Sequence, residues 1–160
     1  AENEDKTHVL VLMGYGDLEP LIRKHVQKYD NIYAHAAVTP EMVLQYTASA
    51  DIGVSYIDNP SLNDRFCLPN KLFEYMASAK PIIASNLPSV KEVLMNNKNC
   101  ILFEPDNVDD LVDKIQFLSS SKELMYKIAE NAKKDAQNYT WDKRVEKIYN
   151  HVQTFIKMQS

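Results

Sequence analysis

Short, almost wholly apolar runs alternate along the chain with longer stretches in which apolar residues return every three or four positions. The short runs lie at 8–13, 31–34, 52–56, 81–84 and 100–103. An apolar run of that length bounded by turn residues reads as a parallel strand, because helices cover both faces of a parallel sheet. The longer stretches predict helices over 17–29, 40–49, 70–78, 88–96, 107–119, 121–137 and 140–157, with Asp17, Thr39, Asn70, Asn107 and Thr140 at or near their N-caps. Strand and helix alternate as far as residue 103, and three helical segments follow. The pattern predicts an α/β fold, a doubly wound parallel sheet with a C-terminal helical tail.

Two segments of the tail carry an apolar stripe that this reading expects to be buried. One is Val108, Leu111, Val112, Ile115 and Leu118; the other is Trp141, Val145, Ile148, Val152 and Phe155. The connection from Asp58 to Pro69 has neither a helical nor a strand pattern, and connections that long are often functional. It leads into a helix expected to start at Lys71, with Asn70 as its cap. Lys71, Glu74 and Ser78 share one polar strip of that helix, while Leu72, Phe73, Tyr75, Met76, Ala77 and Ala79 occupy the other faces. A helix so apolar is mostly buried, and its polar strip must meet solvent in a cleft or a ligand, since an unpaired buried charge costs several kcal/mol, roughly.

Composition narrows the class. At 160 residues, 45% hydrophobic and 25% charged, the chain fits one folded domain spanning 1–160. A net charge of -4 offers no general attraction to phosphate backbones or anionic lipid, which excludes a dedicated nucleic-acid binder. No apolar run approaches the roughly 20 residues of a membrane span, so no transmembrane segment is expected. Residues 1–6 have no signal core and no initiating Met, which suggests a cut end and a fragment of a longer chain. Cys67 and Cys100 lack a CxxC or Cys/His cluster, so neither a zinc site nor a disulfide framework is indicated, and two reduced thiols fit a cytoplasmic protein.

The helix at 70–78 is the strongest candidate for chemistry. Its N-terminus offers free N–H groups and a partial positive charge, Lys71 adds a full one, and together they suit a phosphate. Glu74, one turn in, can accept from a diol such as ribose. An i,i+3 ion pair between Lys71 and Glu74 on a solvated face, worth a few tenths of a kcal/mol, fits the spacing equally well. Gly14-Tyr15-Gly16 begins like a dinucleotide fingerprint, but Glu19 stands where the third Gly belongs, so a turn is the better reading. His35 reads as a hydrogen-bonded structural histidine, Cys67 as a packed thiol rather than a nucleophile, and Arg65 equally as an exposed loop charge or a ligand contact. A non-enzymatic flavodoxin-like interaction module would need acidic residues and a Lys at strand ends; Asp51 begins its strand instead, and 101–103 supplies no Lys.

The stretch Pro69-Asn70-Lys71-Leu72-Phe73-Glu74-Tyr75-Met76-Ala77-Ser78-Ala79-Lys80-Pro81 with the strand to Ser85 resembles the donor-site segment of family 4 glycosyltransferases (glycosyl transferases group 1). Leu12 to Leu18, Ala50 to Val54, Pro88 to Val93, Trp141 and Tyr149 resemble its other landmarks, in order, over residues 8–152. The resemblance implies the Rossmann-like, C-terminal half of a GT-B fold, which binds a nucleoside diphosphate sugar and transfers the sugar, with retention, to a hydroxyl acceptor. It implies a role in cell-surface polysaccharide or glycoconjugate synthesis, no metal and no cofactor, and for the full-length enzyme a cytoplasmic location or a peripheral one at the inner membrane face. Glu74 would bind the ribose and Lys71 would stabilise the leaving diphosphate, with Phe66, Cys67, Leu68, Asn70 and Lys71 around diphosphate and sugar and Val38 near the base. Many members carry a second glutamate eight positions before the first; here that position is Phe66, and Asn63, Asp64 or Arg65 would take its part. The glycan or lipid-linked acceptor would bind an N-terminal domain that this sequence lacks. The first strand of the donor half, expected between the strands at 8–13 and 52–56, would be missing too, so the piece alone would be inactive. A GT-B-like nucleotide-sugar epimerase would share the same cleft.

Overall fold

A computed structural model describes residues 7–58 and 61–158. The chain divides into two compact units, 1–43 and 44–160. In the first, β1 (Leu10–Met13) and β2 (Ile32–His35) form a parallel pair in register Leu10 to Ile32 and Met13 to His35, joined by α1 (Glu19–Lys28). Gly14 and Gly16 turn the chain between β1 and α1 with φ of +147° and +158°, a turn as expected. α1 has no side-chain cap, so Asp17 does not fill that place; its N-cap is Leu18. α2 (Pro40–Ser49) runs across the unit boundary.

The second unit is built on β3 (Gly53–Ser55), β4 (Ile82–Ser85) and β5 (Ile101–Phe103), a parallel sheet in the order β3-β4-β5. Between them lie α3 (Leu62–Phe66), α4 (Asn70–Ala77) and α5 (Pro88–Lys91); α6 (Val108–Ser119), α7 (Lys122–Ala136) and α8 (Trp141–Met158) follow. Every residue of β4 is buried. Ile82 and Ala84 join Leu72 and Met76 of α4, Val90 of α5 and Leu102 of β5 in one core cluster. Ile83 joins Ile101 and Phe103 with Leu118 of α6 and Ile128 of α7 in another. Alternation along the strand thus feeds two apolar layers, which is why β4 reads as a continuous apolar run. The strands and this helix layering give the doubly wound, Rossmann-like α/β architecture with its C-terminal helix.

Gly53 fixes how closely α4 approaches. A Cβ there would fall 2.5 Å from the Tyr75 ring, and the Tyr75 hydroxyl donates to Val54 O at 3.3 Å. Asn107 and Ser121 cap α6 and α7 by accepting from Asp110 and Leu124 N–H, and Thr140 Oγ1 accepts from Lys143 N–H in the first turn of α8.

The structure departs from expectation in further elements, among them α6, where Val108 of the expected buried stripe is exposed and Leu118 is its one buried residue. The helix expected over 88–96 ends at Lys91. Beyond it Asn99, buried, takes the place of a continuing turn: its Oδ1 accepts from Met95 N–H at 2.7 Å and its Nδ2 donates to Asp135 of α7 at 2.9 Å. The stripe on α8 is exposed rather than buried, with Trp141 at 79% and Phe155 at 57%, and no α8 residue is buried. Asn70 is the first residue of α4 and not its cap, which is Pro69. Ala77, expected on a covered face of α4, is exposed.

α4 closes with Lys80 N–H on Tyr75 O at 3.0 Å and Ala79 N–H on Met76 O at 3.1 Å, with Ala79 at φ +51°. This is the left-handed position where a helix C-terminus normally takes glycine, and alanine there carries a steric penalty. Ala79→Gly is expected to stabilise the protein by about 0.5–1 kcal/mol in urea unfolding, the left-handed cost of a Cβ less the extra chain entropy of glycine. An unchanged or lower midpoint contradicts it.

Candidate functional site

Parallel neighbours such as β3 and β4 need a crossover connection, and here residues 56–81 supply it with α3 and α4. The crossover helix runs back along the sheet, so the start of α4 lies toward the carboxyl ends of the strands, where ligands of open α/β sheets bind.

The connection expected to be a loop, of which residues 59 and 60 lie outside the described residues, holds a short helix, α3, and three serines bond to described residues in it or beside it. Ser85 at the end of β4 accepts from Ile57 N–H at 2.9 Å. Ser61 caps α3, accepting from Asp64 N–H at 3.2 Å and donating to the Asp64 carboxylate. Ser89 of α5 places its Oγ 2.7 Å from Cys67 O and 3.2 Å from Arg65 O. The Ser-x-x-Asp spacing from Ser61 to Asp64 is the capping signature that would have revealed α3 in the sequence.

α4 starts without a side-chain cap. Leu72 N–H bonds Pro69 O at 3.2 Å, while among the described residues the N–H groups of Leu68, Asn70 and Lys71 have no acceptor. Lys71 is exposed and Glu74 half-buried; their side chains form no ion pair with each other and no hydrogen bond to any described residue. Ser78, the third member of the strip, is the half-buried C-cap of α4, and its hydroxyl oxygen is buried without a partner among the described residues, as is that of the buried Ser55 at the end of β3. The i,i+3 ion pair is therefore absent, and the strip offers a cation, a carboxylate acceptor and free amides. Burial, and then the charge of Glu74, push the Tyr75 phenol above its ordinary range.

The remaining sequence candidates fall as follows. Asn63, Arg65 and Phe66 are exposed; Asp64 is half-buried with its carboxylate tied to Ser61; Leu68 is half-buried against the core. These residues and α4 form one continuous segment. Val38 lies half-buried between β2 and α2 in the first unit. His35 is exposed, its Nδ1 2.7 Å from Ala36 O. Cys67 is exposed on the segment rather than packed.

Tyr56, which sequence reasoning missed, follows β3 with its ring stacked on Phe103 at 5.8 Å. The interaction of its hydroxyl with the Asp58 carboxylate, then desolvation and the charges of Asp58 and Asp106, push the phenol above its ordinary range. The signal was an aromatic residue at a strand's carboxyl end. No group of three or more His, Cys, Asp and Glu among the described residues is placed to hold a metal ion, and no described helix is long and apolar enough to cross a membrane.

Residues 1–121 match the family described as glycosyl transferases group 1. An uncharacterized glycosyltransferase of Methanocaldococcus jannaschii is 29% identical over 88% of this chain, and the chain spans 40% of that relative's length. Among solved structures, a glycosyltransferase from Rickettsia africae superposes with a TM-score of 0.77 at 20% identity over 94% of this chain and 40% of its own. HepE of Anabaena, solved in complex with UDP-glucose, superposes with a TM-score of 0.73 at 18% identity over 91% of this chain and 41% of its own.

The two thiols differ sharply. Cys100 is buried, and burial pushes its ionisation up to about 12, while Cys67 is exposed. Titration of the folded chain with a disulfide reagent at about pH 8 should consume the Cys67 thiol rapidly and the Cys100 thiol only on unfolding, because the thiolate is the reacting form. Equal rates for both in the folded protein contradict this assignment.

Proposed function

The chain belongs to the glycosyl transferases group 1 family, and from that premise we propose that α4 and the segment before it hold the nucleoside diphosphate sugar of a glycosyl transfer. One observation carries the reading: on a helix packed through Leu72 and Met76, the Lys71 and Glu74 side chains stand without a partner among the described residues in the first turns after an uncapped N-terminus. A ligand that brings anionic oxygens and a diol supplies the missing partners.

In this reading the free amides at the start of α4 and the Lys71 ammonium take the diphosphate, and Glu74 accepts from the ribose hydroxyls. Negative charge develops on the diphosphate as the bond to the sugar's anomeric carbon breaks. A fixed cation and helix dipole stabilise it without a metal or cofactor. The sugar then passes to a hydroxyl oxygen of the acceptor with retention at the anomeric carbon. Asp64 is committed to the cap of α3, so the part of the second family glutamate falls to Asn63 or Arg65. The glycan or lipid-linked acceptor is assigned to parts of the enzyme outside this chain, in cell-surface polysaccharide or glycoconjugate synthesis.

Two substitutions in the full-length enzyme test the assignment by calorimetry. Glu74→Ala should weaken donor binding by about 1–3 kcal/mol, the scale of a lost charge-assisted hydrogen bond. Unchanged affinity with the fold intact removes Glu74 from the site. Lys71→Met should weaken a nucleoside diphosphate by more than the bare nucleoside; equal losses for both ligands assign Lys71 a structural role instead.

A further inference from the structure

We propose that Ser89 is a positioning residue for donor binding, a latch on α5 that aims the Leu68 amide at the donor's diphosphate. The inference rests on the reading of 61–74 as the donor segment. Ser89 is 5% exposed, so water does not satisfy its hydroxyl. It reaches two main-chain oxygens of another element, Cys67 O at 2.7 Å and Arg65 O at 3.2 Å. A hydroxyl carries a single proton, so the shorter contact to Cys67 O is the principal bond and Arg65 O shares it.

Its consequence lies on the other side of the peptide. In a trans peptide the carbonyl of one residue and the N–H of the next point in opposite directions. Pinning Cys67 O onto α5 therefore turns the Leu68 N–H away from α5, and that N–H has no acceptor among the described residues. Pro69 has no N–H, and the next two, on Asn70 and Lys71, are the free amides at the start of α4. The latch thus adds a third fixed donor, just before the helix, to the two that the helix supplies. A row of donors with no acceptor among them suits a ligand whose oxygens only accept, as those of a diphosphate do. The end of β4 also holds the chain just after β3, where Ile57 N–H donates to Ser85 Oγ at 2.9 Å.

The test uses the full-length enzyme and calorimetry with UDP, GDP and ADP and the matching nucleosides. Ser89→Ala should weaken the diphosphate that the wild type binds by about five- to tenfold, the scale of one lost hydrogen bond, and change its nucleoside less than about twofold. Ser89→Thr, which keeps the hydroxyl, should bind the diphosphate within about twofold of wild type. A purely structural Ser89 would lower the melting temperature and leave the ratio of diphosphate to nucleoside affinity unchanged, and that result overturns the latch while the donor site stands. Wild-type enzyme that binds none of the three diphosphates overturns the donor site and the latch together. Should Ser89→Ala fail to fold, the wild type decides: the Leu68 amide resonance must shift on titration with the diphosphate but not with its nucleoside, and an unmoved resonance rejects the latch.

Discussion

Strand β4 is hydrogen-bonded on both edges, to β3 and β5, and buried on both faces. A strand in that position leaves its neighbours no freedom. Both parallel partners have to be reached by crossovers, and each crossover must lay an apolar helix on the sheet. The path from β3 to β4 brings α4 down with Leu72 and Met76 inward, so close that only glycine fits at Gly53 under the Tyr75 ring. Once those contacts are made, the polar strip of α4 has one direction left to face. The unpartnered Lys71 and Glu74 are thus a consequence of burying β4, and the binding reading follows from the packing rather than from a motif alone.

The described residues 61–69 before α4 show how a surface segment is held in place without a core of its own. Ser61 closes α3 locally, while Ser89 ties main-chain oxygens of the segment to α5 and Ser85 ties Ile57 N–H, just after β3, to the sheet. Each such bond contributes on the order of 1 kcal/mol net. Their joint effect is to fix main-chain direction before any ligand arrives, which lowers the ordering cost that binding must otherwise meet.

All five strands were legible in the sequence as short apolar runs; for β4 and β5 the cause is burial on both faces, whereas β1 and β2, expected to be covered likewise, are largely exposed. The strip on α4 was legible for a related reason: Lys71, Glu74 and Ser78 interrupt an otherwise apolar helix at helical spacing. Spacing left the ion pair open, since only coordinates tell whether two side chains three apart meet. α3 was missed because five residues carry too little periodicity, although Ser61 and Asp64 marked its start. The early end of α5 was hidden because Asn99, a side chain eight residues beyond Lys91, supplies the bonds that a longer helix would have made. Ser89 lay in a family landmark, but its bonding role had no sequence signal, since its partners are main-chain oxygens more than twenty residues away.

The apolar stripe of α8 was read correctly as a stripe and wrongly as buried: Val145, Ile148, Tyr149, Val152 and Phe155 all face water. A helix of 18 residues with no buried side chain draws little from tertiary packing. In water the coil competes closely with a helix of that length, because nucleation is costly and each added residue gains little. Its helical order is therefore the most easily melted part of the tail, and its amides should exchange with solvent far sooner than those of α7, which buries Ile128, Ala129 and Ala132. Whatever covers the stripe would convert this local helix-coil equilibrium into a cooperative part of the fold, so solvent exchange along α8 reads out contact with its cover residue by residue.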